Sequence, residues 1–246
     1  MTPTTIIEAL ALPPGSRVDR RVPKKLLVEN GAPTTTDKRH INEGIEDLHW
    51  VAALKPTTIG VSEYRDAVRE YLEIAVLCLT IRTKVKVGRL IELVHRAVPY
   101  PVLLIADHAK TLGLSAAHIR WSQGESGKTV LDGEVASVKV DDNTSFLAAL
   151  TLARQPQTTL YALYQGWIDT LLALHAARVT GTFAVAANAE AAAVRRDALQ
   201  ECARLDTEIS RLRATAAKEK QMARRVELNL ELKRLEAAQA AARANL

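Results

Sequence analysis

The last 65 residues contain neither glycine nor proline: all 11 Gly and all 9 Pro stand at or before Gly181. No aromatic residue lies beyond Phe183, and residues 184–246 hold 19 alanines. A stretch without breakers and rich in the best helix former is expected to be helical. A single uniform globule is excluded, and the sequence divides into an aromatic-bearing body and a helical tail. Within the tail, Cys202, Leu205, Ile209, Leu212 and Ala216 follow the 3-4-3-4 spacing of a coiled-coil seam. The phase weakens across Lys218, Glu219 and Lys220 and resumes at Val226, Leu228, Leu232 and Leu235. One continuous helix and a helical hairpin both satisfy that pattern. An apolar seam needs a partner, so these residues are the expected oligomerisation or docking positions.

In the body, residues 72–81 are β-branched and nearly all apolar, as in a central strand buried on both faces. Residues 87–97 read as a helix through Leu90, Ile91, Val94 and Ala97, and residues 102–106 as the next strand. That order is a β-α-β unit. Residues 117–122 and 129–138 read as two strands joined by a Gly-rich turn. Thr34 to Asp37 offers N-caps for a helix carrying Ile41, Ile45, Leu48 and Val51. A short strand is expected at 59–61 and a brief helix at 63–69. Residues 1–33, punctuated by Pro13, Pro14 and Pro23, are expected to wrap the body in extended form. The fold class is therefore α/β: a small mixed sheet with flanking helices, then helices and the coiled coil. The division expected is 1–143 for the body, 144–183 for a helical segment packing on it, and 184–246 for the coiled coil.

Few residues announce chemistry. Gly124 to Thr129 suggests a phosphate loop, but that loop needs a helix after Thr129, and Val-Leu-Asp-Gly-Glu-Val alternates like a strand. Cys78 and Cys202 match no metal-ligand spacing and read as buried thiols. His40, His49, His95, His108, His118 and His175 show no paired-ligand spacing on a helix face. A metal-dependent nuclease places carboxylates on adjacent strands with a lysine two residues beyond one of them. Glu73, Lys84 and Asp107 are the available set, yet no Glu-x-Lys stands on a strand. No cofactor or metal is expected. Without a signal peptide or an apolar run near the roughly 20 residues of a membrane span, a cytoplasmic protein is expected.

Basic residues are the better lead. Net charge is +5, and residues 17–39 hold seven Lys/Arg against three acids. Residues 82–96 hold five Lys/Arg against one acid. Lys24, Lys25, Lys38, Arg39, Arg82, Lys84, Lys86 and Arg89 are the candidate contacts to nucleic-acid phosphates. The tail carries 12 basic and nine acidic residues, a mixed pattern suited to a coiled-coil flank.

Several segments in order resemble a bacterial family, the domain of unknown function 4391. They are Val22-Pro23-Lys24-Lys25 to Glu29-Asn30, Leu48-His49-Trp50, Leu54-Lys55-Pro56-Thr57-Thr58, the strand 73–81, and Val98 to Leu103. Trp167, Thr180-Gly181-Thr182-Phe183, Lys220-Gln221 and Arg225 to Lys233 complete the pattern. The resemblance implies a neighbourhood of DNA methyltransferases and superfamily-two helicases in phage-defence or restriction gene clusters. Family members often carry an acid near the middle of the central strand and a lysine at its end; this chain has Leu77-Cys78-Leu79-Thr80. The expected function is a non-enzymatic accessory subunit of such a complex. It would contact duplex DNA or a helicase or methyltransferase partner and assemble through its coiled coil. The alternative is a degenerate nuclease of the same system.

Overall fold

The structure is a computed structural model that describes residues 1–82, 85–125 and 127–246. In chain order its elements are α1 (Pro3–Ala9), β1 (Arg17–Arg21), α2 (Lys24–Gly31), α3 (Thr35–Gly44), β2 (Ile45–Leu54) and α4 (Pro56–Ile59). There follow β3 (Tyr64–Arg65), β4 (Glu70–Tyr71), β5 (Ile74–Ile81), α5 (Val87–Ala97), β6 (Val102–His108) and β7 (Thr111–Ala116). Then come β8 (Ile119–Trp121), β9 (Thr129–Leu131), β10 (Ala136–Val140), α6 (Thr144–Ala149), α7 (Leu160–Thr180), α8 (Ala189–Lys218) and α9 (Met222–Arg243). Two compact units result, Met1–Leu171 and Leu172–Leu246, with the boundary inside α7.

The first unit is built on a six-stranded mixed sheet in the order β1-β2-β5-β6-β7-β10. β5 and β6 run parallel through the α5 crossover, and the other neighbouring pairs are antiparallel. β5 is central because its side chains suit burial on both faces. Ala75, Leu77, Leu79 and Ile81 meet Leu27 of α2, Ile41 of α3 and Leu90, Leu93 and Val94 of α5. Outside that cluster Ile6, Phe146, Leu150, Tyr164 and Trp167 are fully buried. Tyr164 donates from its hydroxyl to the Val102 carbonyl at 2.7 Å, and Trp167 donates from Nε1 to the Leu150 carbonyl at 2.9 Å.

Four local expectations are corrected. The helix begun at the Thr34 cap, whose Oγ1 accepts from the Asp37 amide, ends at Gly44. Ile45, Leu48 and Val51 belong to strand β2. At the last helical residue there is no room for a side chain: a Cβ on Gly44 would stand 2.7 Å from Leu90 Cδ1 and 3.1 Å from Val85 Cγ1. Residues 1–33 are not an extended wrap; Pro3 stands at the first position of α1 and Pro23 is the N-cap of α2, where proline suits a helix start. Residues 56–59 form α4, stopped by Gly60 at φ +72°, instead of a strand at 59–61. Residues 63–69 hold the turn between β3 and β4, where Asp66 Oδ1 accepts from the Val68 and Arg69 amides at 2.7 Å each.

His95 of α5 is buried and its Nε2 lies 2.9 Å from Ser115 Oγ of β7. Burial pulls its pKa from 6.5 down to about 3. The folded protein resists a proton that the unfolded chain takes up, so this contribution is complete above pH 6.5 and falls as pH drops toward 3. His95→Gln is expected to flatten the decline in unfolding free energy across that window, measured by urea titration at several pH values.

The second unit carries a helical hairpin. Its reversal falls at residues 219–221, where the sequence phase weakens. Ile209, Leu212 and Ala216 of α8 pack with Leu228 and Leu232 of α9, and Leu235 joins them. Arg213 Nη2 reaches Glu236 Oε1 across the pair at 2.7 Å. The seam is thus closed within one chain. Val226 falls outside it: with Met222 and Leu230 it forms an exposed row on α9 at four-residue spacing.

Candidate nucleic-acid interface and carboxylate row

The strand register brings polar residues together where β5 and β6 end. Asp47 of β2 lies beside Thr80 of β5, and Thr80 beside Asp107 of β6. One step along the sheet, His49 lies beside Cys78. Leu48, Trp50, Leu77 and Leu79 face α2, α3 and α5, so alternation puts Asp47, His49, Cys78 and Thr80 on the other face. All of them, with Asp107, are half-buried. Arg21 of the edge strand β1 closes on Asp47 with Nε 2.6 Å from Oδ1. His49 Nε2 is 3.9 Å from Asp19 Oδ1.

This row has the layout of carboxylates on strands flanking a central one, but β5 supplies the Thr80 hydroxyl between them and the Cys78 thiol one step along. Burial, then the charges of Asp107 and Asp47, push the Cys78 thiol up to about 11, so it stands as a neutral thiol at physiological pH. Among the described residues no group of three or more His, Cys, Asp or Glu is placed to hold a metal ion. Glu73 and Asp107 of the nuclease set are not brought together. Glu73 precedes β5 and binds Lys55 Nζ at 3.0 Å, whereas Asp107 sits beside Thr80 at the far end of the parallel pair. Seven residues of strand separate those levels, roughly 23 Å. Lys84 lies outside the described residues.

The other candidate cations have different situations. Lys24 donates from Nζ to the Asn42 carbonyl at 3.2 Å and to the Ile45 carbonyl, so it satisfies acceptors that α3 leaves open at its C-terminus. Arg82 donates its backbone amide to the Gly44 carbonyl and Nη1 to the Glu43 carbonyl at 3.5 Å. Arg89 is engaged: Nε and Nη2 grip both oxygens of Asp37 at 2.8 and 2.9 Å, and Nη1 holds Glu92 at 2.8 Å. Those bonds hold the Asp37 carboxyl down at about 2. Arg89 is therefore a structural clamp between α3 and α5. Lys25 and Arg39 make open i,i+4 pairs with Glu29 and Glu43, both at 3.7 Å. Lys38, Arg82 and Lys86 are exposed. Arg21, absent from the candidate set, joins it through β1. Pairing of the edge strand brings it there, and a reading of local charge runs does not supply that pairing.

Of the eight seam positions, Cys202, Leu205, Ile209, Leu212, Leu228 and Leu232 are buried within the hairpin unit, and Leu235 packs against them.

His118 is the hub of an aromatic group. Gln165 donates Nε2 to Asp169 Oδ1 at 2.8 Å, which turns its Oε1 toward His118 Nε2, also at 2.8 Å. Nε2 must then carry the hydrogen, leaving Nδ1 to accept from the Tyr71 hydroxyl at 2.5 Å. Tyr161 stacks on His118 and on Tyr64, with ring centroids 4.9 Å apart in both cases.

The site belongs to a mixed-sheet α/β protein bearing a helical hairpin, with a carboxylate row that has no metal-binding complement among the described residues. The chain belongs to the family described as Domain of unknown function (DUF4391), which matches residues 10–238. No curated protein and no solved structure matches it. Among the described residues no helix is long and apolar enough to cross a membrane.

Proposed function

We propose that the chain is a non-enzymatic accessory subunit of a bacterial anti-phage defence or restriction-type complex, acting in the cytoplasm. Its body contacts duplex DNA, or the helicase or methyltransferase that handles it, and the helical hairpin serves assembly. The observation that carries this reading is Thr80 standing on β5 between Asp47 and Asp107, with Cys78 one step along the same face beside His49. Metal-assisted hydrolysis needs a first shell that fixes the ion and a group that activates water. A thiol of raised pKa and a threonine hydroxyl do not make that set. The exposed cations Lys38, Arg39, Arg82 and Lys86 supply the complementary half of the argument, because phosphate contacts confer affinity without chemistry. With its seam closed internally, the hairpin offers Met222, Val226 and Leu230 as the apolar row for a partner. Gene neighbourhood, as the family resemblance implies it, supplies the biological setting.

Reversing Lys38, Arg39, Arg82 and Lys86 to Glu is expected to weaken duplex binding at least about 100-fold and flatten its salt dependence. Fluorescence anisotropy at several salt concentrations measures both. Unchanged binding would remove the DNA assignment. Magnesium- or manganese-dependent cleavage that disappears in Asp107→Ala would establish the nuclease alternative.

A further inference from the structure

Three cations from three segments meet where the ends of β1 and β5 adjoin the start of β2. Arg21 ends β1 and pairs in register with His49. Lys24 opens α2, and its ammonium reaches the Ile45 carbonyl. Ile45 lies beside Ile81, and Arg82 follows with its amide on the Gly44 carbonyl. The ammonium of Lys24 is held below its ordinary range by burial first, then by repulsion from Arg82 and Arg21. Asp47 and Glu46 oppose that shift without cancelling it. The fold thus sets the Lys24 ammonium near two like charges, of which Arg21 is also paired with Asp47 at 2.6 Å.

We infer that Arg21, Lys24 and Arg82 form a seat for one phosphodiester of a nucleic-acid backbone, at the end of the sheet beside the carboxylate row. The inference rests on the reading of the chain as a DNA-contacting subunit and names the contact point. An anion placed there offsets the repulsion of Lys24 by Arg82 and Arg21 and receives charge-assisted hydrogen bonds. The seat is open: the Arg21 side chain is 71% exposed and Arg82 is exposed. An open seat with Lys86 exposed in the same crossover suits a polyanion that passes over the surface better than an enclosed free phosphate. Lys24 also satisfies the α3 terminus, so its charge and its structural role are joined, whereas Arg21 and Arg82 make only exposed side-chain contacts, to Asp47 and to the Glu43 carbonyl.

The test uses the full chain, a fluorescein-labelled DNA duplex and several potassium chloride concentrations. Arg21→Gln combined with Arg82→Gln is expected to lower affinity more than about tenfold and reduce the slope of log K against log salt by about 1.8. Arg21→Lys with Arg82→Lys retains the charge and is expected to keep most of the slope. Circular dichroism of each variant confirms that it is folded. If the wild-type chain binds DNA and the Gln pair leaves affinity and slope unchanged, the seat is wrong while the DNA reading stands. A wild-type chain that does not bind DNA overturns that reading and the seat with it.

Discussion

Trp167→Ala is expected to destabilise the first unit by about 3–5 kcal/mol, the cost of emptying a large aromatic site that cannot fully collapse. Trp167 is wholly buried, so its substitution removes packing on every side. The indole N–H also satisfies the Leu150 carbonyl just after α6, and alanine leaves that acceptor unpaired. The surroundings cannot easily move in. At Gly166, one residue before, Pro156 Cδ stands 2.5 Å from where a Cβ would be, so the chain is already closely packed there. Trp167→Phe keeps most of the volume and loses only the donor, so a smaller loss is expected. Urea titration followed by circular dichroism measures both. A loss below about 1 kcal/mol for the alanine variant would show that α7 is not anchored through this side chain.

Ile209→Asp is expected to unzip the hairpin. Ile209 sits in a small cluster with Leu212, Ala216, Leu228, Leu232 and Leu235, and a carboxylate placed there finds no partner. An unpaired buried charge costs several kcal/mol, more than a two-helix pair with so few buried contacts can supply. Helical signal at 222 nm should drop and proteolysis should start within residues 189–243. Val226→Asp is the contrasting variant. Val226 is half exposed, so its change should leave the hairpin folded and affect only association with a partner. Equal loss of helix in both variants would contradict the assignment of seam and outward face.

Some of this was legible from residue order. The run 72–81 marks β5 because its apolar residues serve both faces of a sheet, and 87–97 marks α5 through one apolar stripe. Both tail segments were readable from spacing, and the charged phase break at residues 218–220 coincides with the reversal. What was illegible depended on distant contacts. Ile41, Ile45, Leu48 and Val51 fit a helical period, yet the chain leaves the helix after Gly44 and residues 45–54 pair with β5, a long-range contact that local spacing does not carry. β7 was hidden because its hairpin turns on Ala109 and Lys110, at φ +50° and +64°, without the usual Asn-Gly signal. The interface was half legible. Lys38, Arg82 and Lys86 are exposed as a basic run suggests, but Arg89 is claimed by Asp37, which lies 52 residues away. Arg21 enters only through strand pairing with β2.

Under the proposed function the body holds duplex DNA and does not cut it. A mobility-shift gel of duplex DNA with the full chain and magnesium tests both halves at once. A retarded band whose DNA, once stripped of protein, is intact is the predicted result. Unretarded DNA, or fragments whose appearance depends on magnesium and on Asp107, would contradict it.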